Sequence, residues 1–501
     1  MKLTNIITQI DIIAGEHPDW PAYDALGTVH TYGDLKQASD AIALAISQRH
    51  LARTQPIMVY ADQSFMTVAA FLGCVKAGHA YIPVDTHSPN DRLTMIESIA
   101  QPGLVLAVQP LPITLKTPVF TAEALAVYCR ADAKTVDFQP VVGAENFYII
   151  FTSGTTGQPK GVQISHTNLL SFVNWLTDFK LPERLRCLVQ APYSFDLSVM
   201  SLYPTLVNGG TLVVLPRSKT QDLAQLFHWL PLFKLDVWVS TPSMMAMCLL
   251  DQTFNAATYP QLQQIFFCGE ELTPQLARKI LKRFPDVALY NTYGPTEATV
   301  AVTAVQITPA ILDQYPRLPI GYAKPDTWIS LRPGTEQVDH GQALGELRLS
   351  GPSVSKGYLN RPDKTAQVFK AGSYVSGDLG YIDAHGLIFY RGRTDFQIKM
   401  NGYRIELEEV NHFLNQSKYL KQAVAVPKYN AQQKVTQLIA FAVPAAGQTG
   451  TSALTKAVKA ELAGVMMAYM IPQRFVYRSE LPLTQNDKVA IKRLISEVNP
   501  A

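Results

Sequence analysis

Short apolar runs alternating with amphipathic stretches, from about residue 55 onward, constrain the fold of this chain more than any other feature. Residues 56–61 read as a strand, followed by a helix over 65–77 that Gly78 ends. Residues 147–152 form another apolar run. Ser165 or Thr167 can then cap a helix whose Leu169, Leu170, Val173 and Leu176 share one face. Runs at 187–191, 211–215 and 265–268 are further strands, with a helix through Leu206 between the first two. Thr273-Pro274 supplies a cap residue with proline at the first helical position. Strands that are apolar along their whole length are buried on both faces, so this order implies an α/β protein with largely buried sheets.

The chain has 501 residues, and at about 150 per domain that leaves room for roughly three units. Hydrophobic residues at 47% and charged ones at 17% exclude disordered, collagenous and disulfide-dense classes. A net charge of +3 is too small for a nucleic-acid binder. The charge is unevenly placed, however. Residues 396–501 hold 13 Lys/Arg and 7 Asp/Glu, giving +6 and leaving −3 for the rest. That shift marks a separate basic C-terminal domain, whose surface is either simply solvated or a docking face. The five cysteines are odd in number, far apart and without C-x-x-C spacing, which argues for a reducing compartment and against structural zinc. Asp11 and Glu16 interrupt any apolar leader, so no secretory signal is read. The uncharged stretch 197–216 is broken by Pro204, Asn208, Gly209 and Gly210, and reads as buried helix, turn and buried strand. The expectation is a cytoplasmic chain with no membrane insertion.

The sharpest local signal is F-T-S-G-T-T-G-Q-P-K-G over Phe151–Gly161, directly after an apolar strand. Glycines let a backbone approach an anion closely, while hydroxyls and amide N–H groups cradle it and Lys160 adds a point charge. The spacing is not that of a Walker A loop. In order and composition the segment resembles the signature loop of the adenylate-forming superfamily. Further matches follow in that family's order: N-T-Y-G-P-T-E at 291–297, G-E-L-R-L-S-G at 345–351 continuing to Gly357 and Tyr358, and S-G-D-L-G at 376–380. Then come Y-R-G-R-T-D at 390–395, N-G-Y-R-I-E at 401–406 and L-P-L-T-Q-N-D-K at 481–488.

The resemblance implies a large N-terminal body of α/β subdomains, residues 1–394, and a smaller mobile C-terminal α+β cap, residues 395–501, hinged near Asp395. It implies ATP and Mg²⁺ as cofactors. Thr152, Ser153, Gly154, Thr155, Thr156, Gly157 and Lys160 would hold the outgoing phosphates. Tyr293 would stack on adenine within a strip formed by Asn291, Thr292, Gly294, Pro295 and Thr296. Glu297 resembles the Mg²⁺ ligand, a hard oxygen for a hard cation. Asp378, in a short Gly-Asp-Leu-Gly turn, resembles the carboxylate that accepts the ribose hydroxyls. Arg393, with Tyr390, Arg391 and Gly392 beside it, resembles the ribose-phosphate contact. Lys488 resembles the catalytic lysine bridging the substrate carboxylate and ATP oxygens, although Asp487 stands where the family's usual glycine precedes it.

Asp196, in S-F-D-L-S, has a position where members that take α-amino acids carry an aspartate for the substrate ammonium. A buried ammonium needs a partner charge. The same aspartate also suits a helix N-cap before Leu197. The pattern is most similar to the free-standing D-alanine–D-alanyl carrier protein ligase family. There Cys268 and Val300 would shape a small side-chain pocket, Cys268 acting sterically and not as a nucleophile. The implied partners are D-alanine and a phosphopantetheinylated acidic carrier protein in trans, since no carrier-domain serine motif follows Lys488. The implied product feeds D-alanylation of teichoic acids. Other readings are a ligase for another small amino acid or short acyl acid, and a non-catalytic nucleotide sensor.

Overall fold

The computed structural model describes residues 2–130, 138–154, 158–220, 222–339, 342–395, 397–430, 434–482 and 489–500. Thr155, Thr156, Gly157 and Lys488 lie outside the described residues.

Two large sheets make the body. Five parallel strands, Arg186–Val189, Thr211–Val214, Val237–Ser240, Gln264–Phe267 and Ala288–Tyr293, form the centre of a nine-stranded sheet. A six-stranded sheet runs from Val119–Phe120 through Ile57–Ala61 to Asn146–Thr152, with Lys160–Ser165 antiparallel at its edge. Most of these central strands are buried along nearly their whole length, because helices cover both faces. The largest core unites helices Ile6–Glu16, Tyr32–Ser47, Phe65–Lys76, His166–Thr177 and Leu197–Val207 with strands from both sheets.

Local chemistry sets the element ends as the sequence implies. Ser165 caps its helix in a reciprocal box with Asn168, and Thr273 accepts from the N–H of Leu276 at 3.3 Å. The 197–216 stretch is helix Leu197–Val207, a turn with Gly209 at φ +69°, and strand Thr211–Val214. A Cβ on Gly210 would lie 2.5 Å from the Leu185 carbonyl, so the turn requires glycine there. No described helix is long and apolar enough to cross a membrane. All five cysteines are free, and all but Cys129 are buried.

A third, mainly antiparallel sheet includes Gln342–Ser350, Ser373–Ile382 and Ile388–Arg393. It corrects one expectation: Asp378 sits inside the long strand Ser373–Ile382, not in a turn. Gly377, at φ +73°, kinks that strand, and Asp378 pairs in register with Arg393. Beyond Asp395, hairpin Gln397–Met400/Tyr403–Glu406 precedes helix Leu407–Gln416 and sheet Leu420–Tyr429, Val435–Pro444, Arg474–Tyr477. These elements have cores of their own, around Val410, Leu414 and Leu438 on one face and Val426, Phe441 and Leu494 on the other.

Candidate active site

The glycine-rich loop joins two antiparallel strands, and its neck is the register pair Thr152–Lys160. A Cβ on Gly154 would fall 2.1 Å from the Gln158 carbonyl, so this close approach admits only glycine. Lys160 is largely buried, lies 5.2 Å over the Tyr358 ring and stands 3.9 Å from Glu406. Burial lowers its pKa, reinforced by the positive charge of Arg404 and opposed by Glu297 and Glu406.

Glu297 lies on a short 3-10 turn, Thr296–Ala298, and is fully buried. Its two oxygens accept from Tyr358 Oη and Arg404 Nη1, each at 2.8 Å. Burial alone would raise its pKa, but Arg404 and Lys160, with the Tyr358 hydrogen bond, bring it down to about 2. An ionised buried carboxylate suits a hard cation, and Arg404 is the cation that fills the role here. Among the described residues no group of three His, Cys, Asp or Glu forms a metal cage, so a metal here would depend on other ligands, such as substrate oxygens.

At the opposite end, one guanidinium ties two expected site residues together. Arg393 Nη1 donates to Asp378 at 2.7 Å, while its Nε and Nη2 reach both oxygens of Asp395 at 2.7 Å. Burial opposes ionisation of Asp395, yet the Arg393 hydrogen bonds prevail and lower its pKa. The second Asp378 oxygen accepts from Tyr293 Oη at 2.5 Å. The side chains of Asn291 and Thr292 bond instead to the Pro319 and Phe267 carbonyls, holding the strand. Tyr390, Arg391 and Gly392 line the same cavity of about 500 Å³ as Tyr293, with Arg391 set over the Tyr381 ring.

A cavity of about 460 Å³ contains Thr152, Ser153, Asp196, Cys268, Val300, Asp378 and Arg393. Gly294, Pro295 and Thr296 also line it. Asp196 occupies the N-cap position of its helix, but its side chain accepts no helix N–H. The capping expectation is thereby corrected, and the carboxylate lines the cavity, hydrogen-bonded to Thr296. Burial lifts its pKa to about 6, against a lowering hydrogen bond from Thr296. The Cys268 thiol donates to the Val300 carbonyl at 3.6 Å, and burial raises its pKa, so it acts by shape. Thr299 and Val300 both have positive φ, 58° and 68°, a strained state for β-branched residues that fixes this wall.

The cap hairpin closes over this site. Tyr403 packs edge-on against Phe195 and stacks on Tyr469 at 3.9 Å. The Gly402 N–H donates to Glu270 at 2.5 Å, and Lys434 reaches the same carboxylate at 3.3 Å. A Cβ on Gly402 would meet the Thr241 methyl at 2.5 Å. The Ser153 hydroxyl donates to the Arg404 carbonyl at 3.3 Å, and the Gly154 N–H to Glu409 at 3.1 Å.

The family model described as AMP-binding enzyme matches residues 11–359, and the AMP-binding enzyme C-terminal domain model matches residues 409–488. The chain belongs to the AMP-binding enzyme family. Among this family's curated members, the D-alanine--D-alanyl carrier protein ligase of Lactiplantibacillus plantarum is 54% identical over 99% of this chain and all of that protein. The protein of the same name from Streptococcus equi is 48% identical over 99% of each. A solved structure of PA1221, a nonribosomal peptide synthetase protein with adenylation and PCP domains, matches with TM-score 0.82 and 23% identity. It covers 99% of this chain and 84% of that one, and shows the shared fold.

Reading the sequence named candidate site residues in the body but assigned no role to Tyr403, Arg404, Glu409 or Glu270. The N-G-Y-R-I-E run was the available signal. What it could not carry was the partner of each residue, because those partners, among them Glu270 for Gly402 and Glu297 for Arg404, are distant in sequence.

Proposed function

We propose that this chain activates D-alanine with ATP and then passes the alanyl group to a carrier protein in trans. A carboxylate oxygen of D-alanine attacks the α-phosphorus of ATP, the bond to the β-phosphate oxygen breaks, and pyrophosphate leaves. The phosphopantetheine thiol, giving up its proton, then attacks the acyl carbon, and AMP leaves as the thioester forms. The carrying observation is the half-buried, uncapped carboxylate of Asp196 beside the Cys268–Val300 wall. Asp196 would pair with the substrate ammonium, and Cys268 and Val300 would leave room for a methyl group only. Identity of about half to curated ligases of that name supports the same substrate.

In this reading Tyr293 stacks on adenine, with Asn291–Thr296 around it. Asp378 accepts the ribose hydroxyls, and Arg393, with Tyr390–Gly392, meets the ribose-phosphate. The loop from Thr152 to Lys160 holds the outgoing phosphates. Glu297 would hold Mg²⁺, which supplies charge neutralisation of the phosphate oxygens. Lys488 bridges the attacking carboxylate and the α-phosphate, offsetting charge where it develops. The body, 1–394, selects and holds; the cap, 395–501, pivots at Asp395 between the two steps. Its +6 charge complements an acidic carrier. The product belongs to cytoplasmic supply of D-alanine for teichoic acids.

ATP–pyrophosphate exchange with D-alanine, L-alanine, glycine and acetate tests the substrate. D-alanine should give the fastest exchange; a faster rate with any other acid overturns this assignment. Reversing cap surface charges should slow transfer to the carrier while leaving exchange intact, and an unchanged transfer rate removes the docking claim.

A further inference from the structure

We infer that Glu409 and Arg404 are positioning residues that occupy, from the cap, the groups the body otherwise offers to magnesium pyrophosphate. This rests on the assignment of the glycine-rich loop and Glu297 above. The Gly154 amide has one proton to give, and here it goes to Glu409 Oε2 at 3.1 Å. Glu297 Oε2 accepts from Arg404 at 2.8 Å, while its other oxygen is committed to Tyr358 within the body. Lys160 has Glu406 at 3.9 Å. Thus a carboxyl group, whose pKa burial raises to about 7, sits on the loop amide, a cation sits on the buried carboxylate, and a second carboxyl group sits near the loop lysine. All three come from a segment of six residues, 404–409.

The arrangement follows from charge. Once a cation and a polyanion depart together, Glu297 is left ionised and wholly buried, and Lys160 nearly so. Uncompensated buried charges cost several kcal/mol each. The cap hairpin supplies opposite charges to both, so departure of the product itself favours docking of the cap. The exclusion is mutual, since one N–H and one carboxylate oxygen serve one tenant at a time. Glu408, exposed beside Glu409, shares only through-space charge interaction with Glu406 and Lys160, holds neither the Gly154 amide nor Glu297, and provides an internal control.

The test uses the full-length protein with magnesium and inorganic pyrophosphate as the probe. Hydrogen–deuterium exchange is followed in the hairpin 397–406, and calorimetry reports pyrophosphate affinity. In the wild type, magnesium pyrophosphate should deprotect the hairpin. Glu409→Gln should deprotect it without the probe, and should bind the probe about five- to tenfold more tightly, since a competing charged hydrogen bond is gone. Arg404→Gln should do the same from the metal side and raise magnesium affinity. Glu408→Gln should match the wild type in both readouts. Binding of the probe with no change in hairpin protection, or equal affinity in Glu409→Gln and wild type, overturns the inference alone. Failure of the wild type to bind the probe overturns the loop assignment and the inference with it. A melting curve on each variant separates local undocking from unfolding.

Discussion

The Asp378–Arg393 end of the site is held by bonds among body residues and the junction, whereas the Glu297–Gly154 end is held by bonds that cross to residues beyond 396. Asp378, Arg393, Tyr293 and Asp395 form one short chain of hydrogen bonds, and Cys268 and Val300 are joined through a strained turn. Glu297, Gly154 and Glu270 instead receive Arg404, Glu409 and Gly402 from beyond residue 396. The first set is preorganised and binds by shape and fixed dipoles. In the proposed reading, the second set is built from groups that also serve magnesium pyrophosphate. Selection and switching therefore fall, in that reading, to different parts of the site, and each can be broken separately.

The largest effect is expected from Lys488→Ala, which removes the cap's contribution to the first step. ATP–pyrophosphate exchange should fall by about 10²–10³-fold, the scale of losing one preorganised charge at a transition state. Transfer from preformed alanyl adenylate should persist. Loss of both steps would show that the two ends are not separable.

Asp196→Asn attacks the selecting end. Leaving a buried ammonium unpaired costs about 3–5 kcal/mol, so kcat/KM for D-alanine should drop by about 10²–10⁴-fold with KM for ATP little changed. The pH dependence has a definite sign. Asp196 must be ionised to pair, and burial lifts its pKa to about 6, so KM for D-alanine should rise as pH falls below about 6. The variant should show no such rise. A carboxyl whose folded pKa is raised destabilises the fold once pH passes from the ordinary carboxylate range through that value. Asn should therefore stabilise the unliganded protein at pH 8, by up to about 3 kcal/mol, and lose that advantage near pH 4. Thermal melts at the two pH values check this.

Arg404→Ala attacks the switching end. Removing one partner of a buried pair should slow transfer to carrier by about 10²-fold, while exchange changes only a few-fold. Equal losses in both would place Arg404 with the selecting residues. Cys268→Ala gives the smallest effect, since one added pocket volume of this size discriminates by only about tenfold. D- over L-alanine preference should narrow by that factor, with kcat on D-alanine nearly kept.

The same contrast explains what was legible in the sequence. Apolar runs such as 57–61 and 211–214 are strands for local reasons, and caps such as Ser165 and Thr273 act within three residues. The body's site residues sit in compact motifs, so their grouping was legible too. Asp378 was misread because Gly-Asp-Leu-Gly carries turn chemistry, while pairing with residues 345–350 and 388–393 holds it extended. Asp196 was read as a possible cap because its sequence position fits one, yet the helix leaves its carboxylate unused. The crossing contacts were illegible for a different reason. Nothing local in 401–409 encodes that its partners are Gly154, Glu270 and Glu297, because only the docked cap brings them together.

The most direct measurement is the intact mass of a phosphopantetheinylated D-alanyl carrier protein after incubation with this enzyme, ATP, Mg²⁺ and each alanine enantiomer. One alanyl group should appear on the carrier with D-alanine, as a hydroxylamine-labile thioester, and little or none with L-alanine. Equal or greater loading with L-alanine, or adenylate formation with no loading from D-alanine, would contradict the assignment of this cavity to D-alanine activation and transfer.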